Sequence, residues 1–242
     1  SSRISLPLKK NNREKDMDLG IRGRTAVVSG GARGTGLEIA KRLSAEGANV
    51  VLTGRQPDMV ADAERAVRAE GGQALGVVTD VLSKDGPAVI REAAEKAFGP
   101  VAINIYNFSV MTTDEREFLK ITDEEFYACI EGYYMAIIRM LRQFLPGMQQ
   151  LNWGRVILLG SANMKNASIM DPLTSQSVRG AAPLLFKNLT FEFGKHNIAF
   201  NTIAIGAIKT DLARAYLDTA PPGSEEGYAE AVPLKRWGLP SE

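Results

Sequence analysis

The sequence predicts a single α/β domain built on a doubly wound parallel sheet, and three observations predict it. First, Thr25-Ala26-Val27-Val28 is a short strand-forming run, and Ser29-Gly30-Gly31-Ala32-Arg33-Gly34-Thr35-Gly36 is a glycine-rich turn. Helical spacing follows at once, with Leu37, Ala40 and Leu43 on one side. Second, five further short apolar runs alternate with stretches of helical periodicity, which is the pattern of βαβ units. Third, 242 residues that are 45% hydrophobic and 24% charged suit one large soluble domain of this class.

The elements follow in order. Residues 49–53 read as a second buried strand, with Gly54-Arg55-Gln56-Pro57 as its turn. Asp58 is the expected cap of a helix running to about Glu70. Residues 74–79 form a third strand, followed by Asp80. A helix spans 83–98, with Pro87 tolerated in its first turn. Residues 101–106 form a fourth strand. A long helix starts near Asp123 with Thr122 as cap, and Phe126, Ile130, Tyr133, Ile137, Leu141 and Phe144 recur at helical spacing. Pro146 is expected to end or bend it. Residues 155–159 form a fifth strand, 175–194 a helix and 198–204 a sixth strand. The remainder, with Pro221-Pro222-Gly223-Ser224, reads as a substrate loop near 211–232 carrying a short helix.

Composition sets bounds on function. The net charge of +1 implies neither nucleic acid nor membrane surface as a partner. No apolar run reaches transmembrane length. The single cysteine, Cys129, excludes an internal disulfide and fits a reducing, cytoplasmic setting, with the thiol as buried filler. No zinc-type Cys/His spacing occurs, so no metal site is expected. Residues 1–20 hold a charged, polar stretch without a signal-peptide core and read as a mobile arm before a domain at 21–242.

The glycine turn carries the chemistry. Glycine permits positive φ and a close approach of backbone to ligand. The helix that opens after Gly34 directs unpaired N–H groups and the positive end of its dipole at the turn, which suits a pyrophosphate. A strand before the turn and a helix after it are the context such a motif requires.

Taken together, these segments resemble the short-chain dehydrogenase/reductase family over nearly the whole chain beyond Gly20. Ser29, Gly30, Gly34, Thr35 and Gly36 fall in a turn similar to that family's Thr-Gly-x-x-x-Gly-x-Gly. Thr79-Asp80-Val81 resembles the Asp-Val pair placed beside the adenine, and Tyr106-Asn107-Phe108-Ser109 stands where the family has Asn-Asn-Ala-Gly. Gly154 to Ser161 resembles the strand that delivers a catalytic serine. Asn201 to Thr210 resembles Asn-x-x-x-Pro-Gly-x-x-x-Thr near the nicotinamide, so Gly206, Ile208 and Thr210 join the candidate cofactor contacts, with Ile205 replacing proline. Pro233 to Glu242 resembles Pro-Leu-x-Arg-x-Gly-x-Pro-x-Glu. The resemblance implies a Rossmann fold, a nicotinamide dinucleotide, a small-molecule substrate and assembly into homodimers or homotetramers. The two long helices would form the interface, through Tyr127, Tyr134, Ile138, Leu185, Leu189 and Phe193.

Cofactor choice is read from charge. NAD selectivity needs an acidic side chain after the second strand, whereas a 2′-phosphate wants arginine and no carboxylate. Between Gly47 and Pro57 there is no acid; Arg55 sits in the turn and Arg33 in the glycine loop. This favours NADP(H) over NAD(H).

The reaction centre departs from the family. The resemblance implies an asparagine, a serine and a Tyr-x-x-x-Lys pair, of which only Ser161 stands as itself. Counting back from Phe191-Glu192, Ser175 takes the tyrosine position and Arg179 the lysine position, while Tyr133 stands where the asparagine would be. A serine hydroxyl is a far weaker acid than a phenol, and arginine keeps its proton. Tyr133 and Tyr106 are candidate replacement acids or packing residues; His196, before the sixth strand, is remote. Phe108, Met111, Met164, Ile169 and Met170 are pocket or core residues. Three readings stay open: an NADP(H)-dependent oxidoreductase with Ser161, Ser175, Arg179 and Tyr133 at its centre, a non-redox enzyme on the same fold (cyclisation, isomerisation or elimination), and a catalytically silent NADP(H)-binding protein.

Overall fold

The computed structural model describes residues 17–108, 115, 117–165, 167 and 172–242. Residues 1–16 of the expected arm, together with Met111, Ile169 and Met170, lie outside the described residues.

Six strands make one parallel sheet: β1 (Thr25–Val28), β2 (Asn49–Gly54), β3 (Gln73–Val78), β4 (Val101–Tyr106), β5 (Gly154–Ser161) and β6 (Ile198–Ile205). Their spatial order is β3-β2-β1-β4-β5-β6. The order reverses between β1 and β4, and a crevice for ligand opens at such a switch point. There Val28 lies between Leu52 and Ile105 in register. The sheet is covered on both faces, as a parallel sheet requires. Val28, Leu52, Ile103 and Ile105 face one core with Ala40, Val60 and Val67. Val27, Tyr106 and Val156 face the other with Ile90, Ile137, Phe144 and Phe186.

The flanking helices are α1 (Gly34–Ala45), α2 (Pro57–Ala69), α3 (Gly86–Phe98), α4 (Asp123–Cys129), α5 (Ala136–Leu151), α6 (Leu173–Arg179) and α7 (Ala181–Phe193). Helices α8 (Asp211–Leu217) and α9 (Ser224–Ala231) follow β6. The segment expected as a loop with one short helix therefore carries two.

Several boundaries correct the sequence reading. Helix α2 starts at Pro57 with Gln56 as its flank, so Asp58 does not cap it; Asp58 sits in the first turn, where a carboxylate still complements the dipole. Helix α3 starts at Gly86, three residues late, because the Ser83 hydroxyl accepts from the Gly86 N–H at 3.0 Å and holds a turn there. The helix from Asp123 does open on a capping box: Thr122 Oγ1 accepts from the Glu125 N–H at 3.2 Å, and Glu125 Oε2 accepts from the Thr122 N–H at 2.8 Å. Its interior is interrupted by a π turn, Ile130–Met135, which carries Tyr133. Pro146 does not end α5, which runs on to Leu151 and closes on Asn152 with φ 48°. A mid-helix proline costs about 3 kcal/mol. Burying the neighbouring Leu145 and Met148 returns roughly 1.5–3 kcal/mol each, which is enough to carry the helix through. The expected helix over 175–194 is two helices joined at Gly180.

The expected interface residues are also redistributed. Phe193 is buried against Phe200, and Leu185, Leu189 and Tyr134 pack on the core. Tyr127 is exposed as anticipated, and the apolar side chains that α7 shows to solvent are Leu184 and Phe191.

Candidate active site

The carboxyl ends of the strands open on a cleft of about 540 Å³. Its first wall is the glycine turn. Gly30 and Gly34 have φ of +64° and +55°, the region that favours glycine. A Cβ on Gly30 would fall 2.2 Å from the Asn107 carbonyl oxygen, and one on Gly36 would fall 2.2 Å from the Gly30 carbonyl oxygen. The turn is held open by the Gly30 N–H, which donates to Thr53 Oγ1 at 3.3 Å, and by the Asn107 amide, which donates to the Gly30 carbonyl at 3.2 Å. No side chain caps α1 and no acid lies in its first turn. Its first N–H groups and dipole are therefore free to meet an anion at the cleft.

Arg33, Gly34, Thr35 and Arg55 line this end of the cleft, with both arginines exposed. Asp80 and Val81 line the side beyond β3; Asp80 Oδ1 accepts from the Leu82 N–H at 3.0 Å and fixes that turn. Across the cleft stand Gly206 and Thr210, and the Thr210 hydroxyl caps α8 by accepting from the Ala213 N–H at 3.2 Å. Three arginines, counting Arg179, and two aspartates, Asp80 and Asp211, line the whole, a balance that suits an anionic ligand. The open glycine cradle, the uncapped helix and the two exposed arginines fit the pyrophosphate and phosphate groups of a dinucleotide.

Three expected cofactor contacts do not line the cleft. Ser29 is buried and its hydroxyl donates to the Met140 sulfur at 3.6 Å, so it anchors the turn to α5. Gly36 is a packing glycine under Gly30. Ile208 pairs with Gly238 in an isolated bridge, which ties the segment after β6 to the terminal run. Conversely, Thr53, Gln56, Met59, Leu159 and Leu212 line the cleft and were not singled out from the sequence. Their signal was positional: Thr53 and Leu159 sit at carboxyl ends of strands, where such folds place ligands.

At the other end Ser161, Tyr133, Arg179 and Phe108 come together on the cleft wall. Ser161 ends β5 and its Oγ accepts from the Asn163 N–H at 3.3 Å. The Tyr133 ring meets Phe108 edge-on, centroids 5.9 Å apart. Tyr133 is only 2% exposed, and among the described residues its hydroxyl has no hydrogen-bond partner. Burial pushes this phenol up to about 12, against the opposing pull of the Arg179 cation and with a further push from Cys129. Burial also raises the Cys129 thiol, with Arg179 and the adjoining Thr174 hydroxyl opposing.

Ser175 does not line the cleft; it is 4% exposed, and Thr174 beside it is fully buried. Tyr106 is a packing residue, fully buried between Phe108 and Phe186, and its hydroxyl donates to the Ile137 carbonyl at 3.3 Å. Met164 packs on Gly160 rather than lining the cleft. His196 lies in a turn before β6, away from the cleft. Among the described residues, no group of three or more His, Cys, Asp or Glu side chains is placed to hold a metal ion, and no helix is long and apolar enough to cross a membrane.

Comparison with known proteins agrees with this geometry. The sequence pattern of the short chain dehydrogenase family matches residues 24–220. A 3-oxoacyl-(acyl-carrier-protein) reductase of Pseudomonas aeruginosa is 26% identical over 226 residues, covering 93% of this chain and 88% of that protein. The L-sorbose reductase of Gluconobacter frateurii, solved with NADPH and L-sorbose, superposes with a TM-score of 0.83 at 29% identity, covering 93% of this chain and 88% of that one. A 3-oxoacyl-(acyl-carrier-protein) reductase from Agrobacterium tumefaciens, solved with NADP, gives a TM-score of 0.84 at 27% identity over 98% and 89%. A match that spans β1 to the end of α8, on a sheet of this order with this glycine turn, settles the kinship: the chain belongs to the short-chain dehydrogenase family.

Proposed function

We propose that the protein binds NADP(H) and acts as an oxidoreductase on a small carbonyl or hydroxyl compound with an apolar body. One observation carries the cofactor choice: Arg33 and Arg55 both line the cleft at the ends of β1 and β2, and no carboxylate lies between residues 47 and 57. Arginine forks suit a 2′-phosphate, and an acid there would repel it. The relatives solved with NADPH and NADP support the same reading. Bound NADP(H) supplies or accepts hydride. The chain's own part is to hold the reacting oxygen, and Ser161 and Arg179 supply a hydroxyl and a fixed positive charge for that purpose. Phe108, Leu159 and Leu212 give the substrate end its apolar lining.

The test is a pair of fluorescence titrations. NADPH should bind at least about tenfold more tightly than NADH, a difference of about 1.4 kcal/mol. Equal affinities would remove the 2′-phosphate contact from the reading.

The absence of Ser175 from the cleft lining favours a second reading, a non-redox enzyme that keeps the dinucleotide site. NADPH binding without oxidation of the bound cofactor across a carbonyl panel would bring that reading, or a silent binding protein, to the front. We also propose a symmetric homodimer or homotetramer through the α4–α5 and α7 helices. Exposed Tyr127, Leu184 and Phe191 support it, and a stable monomer by light scattering at micromolar concentration would reject it.

A further inference from the structure

The chain carries two tyrosines near the cleft, and they are treated differently. Tyr106 is packing, and its hydroxyl is satisfied by the Ile137 carbonyl. Tyr133 is also buried, yet its hydroxyl has no hydrogen-bond partner among the described residues. A buried hydroxyl left unpaired costs free energy, and a bound ligand's oxygen would satisfy it. Tyr133 also sits on a π turn, an irregularity that recurs at functional sites, and it lines the cleft together with Ser161 and Arg179.

We infer that Tyr133, which lines the cleft where Ser175 does not, is the catalytic phenol of this chain, meeting the substrate's oxygen from the helix beside α6. The inference rests on the oxidoreductase reading above. Neither neighbour on the wall can replace it: a serine is too weak an acid and arginine does not release its proton. In reduction, bound NADPH would supply the hydride to the carbonyl carbon and become NADP⁺, and the carbonyl π pair would move to oxygen. The Tyr133 O–H bond breaks, its proton bonds that oxygen, and water returns a proton to the phenolate. The groups facing the phenol are Arg179 from α6 and Cys129 from its own helix; the cation stabilises the phenolate that forms. A phenol that is neutral at pH 7 carries the proton that reduction needs.

The experiment compares the parent with Tyr133→Phe, which keeps the ring and its contact with Phe108. Three quantities are read: NADPH affinity by fluorescence, the ζ-carbon NMR signal of Tyr133 when cyclohexanone or acetophenone is added to the NADP⁺-loaded protein, and the rate of NADPH oxidation with either ketone. The expected result is unchanged NADPH affinity, a Tyr133 signal that moves with ketone, and a rate lowered by a factor of ~10² to 10⁴ in the variant. Intact NADPH binding with a Tyr133 signal that no ketone moves, or a variant as fast as the parent, overturns this inference alone. A parent that fails to bind NADPH overturns the oxidoreductase reading and takes the inference with it.

Discussion

The Asn107 side-chain amide donates to the Gly30 carbonyl at 3.2 Å, and a Cβ on Gly36 would sit 2.5 Å from that same amide nitrogen. One hydrogen bond thus joins the end of β4 to the glycine turn, with α1 packed against both. Gly36→Ala forces a methyl between the Gly30 carbonyl and the Asn107 amide. Overpacking of this kind costs about 1–3 kcal/mol, which in a chain of this size lowers Tm by several degrees. Calorimetry of the variant should show that loss together with weakened NADPH binding. An unchanged Tm would mean that the turn has slack.

Arg55→Asp should weaken NADPH binding by at least about tenfold while leaving NADH within about twofold, because it removes a cation and places a like charge against the 2′-phosphate. Arg33→Ala should do the same more mildly, since it removes a charge without adding one. Parallel titrations with the two cofactors check this, and equal losses would place the phosphate elsewhere in the cleft.

How far the sequence was readable follows from which physics is local. The strand–turn–helix at 25–45 was legible because glycine spacing, β-branched residues and helical periodicity each act over a few residues. The doubly wound parallel sheet was legible in six apolar runs alternating with helical periodicity, whereas the strand order and the two cores come from the fold itself. The passage of α5 through Pro146 was not legible, because burial of Leu145 and Met148 outweighs a local rule. Ser175 and Tyr133 were both candidates from their register, and register along a helix gives the face but not the surroundings. Only packing shows that Tyr133 lines the cleft and Ser175 does not. The arginines were legible because an exposed cation needs no packing to be placed.

The Tyr133 phenol gives a prediction independent of any substrate. In the unfolded chain it titrates near its ordinary value of about 10, and in the fold it is held up to about 12. A raised phenol means that the protonated form stabilises the fold, fully below pH 10, with the benefit lost as pH rises through 12. The loss is up to about 3 kcal/mol. Burial moves Tyr106 and the Cys129 thiol the same way, so alkaline unfolding has further contributors besides Tyr133. Tyr133→Phe should flatten the fall in stability between pH 10 and 12 relative to the parent, as measured by denaturant titration. Two curves that fall in parallel across that window would show that Tyr133 ionises in the fold as readily as in the unfolded chain.

Restoring the family's usual pair should fail unless Tyr133 is removed. Helix α6 packs against the π turn, and Arg179 on α6 lies close enough to act on the Tyr133 phenol. Ser175 lies on the same helix and is almost fully buried. The double variant Ser175→Tyr, Arg179→Lys therefore adds a ring at a buried position on the helix that packs against the Tyr133 turn, at a cost of about 1–3 kcal/mol from overpacking. Its ketone reduction should not exceed the parent's. Adding Tyr133→Asn vacates the space of one ring, so the triple variant should recover stability and reduce simple ketones faster than the double. The coupling between positions 133 and 175, read as a double-mutant cycle in Tm and in rate, should reach roughly 0.5–3 kcal/mol. Additive effects, with a double variant as stable as the parent, would mean that the two rings occupy separate volumes and that the phenol at 133 leaves room for another.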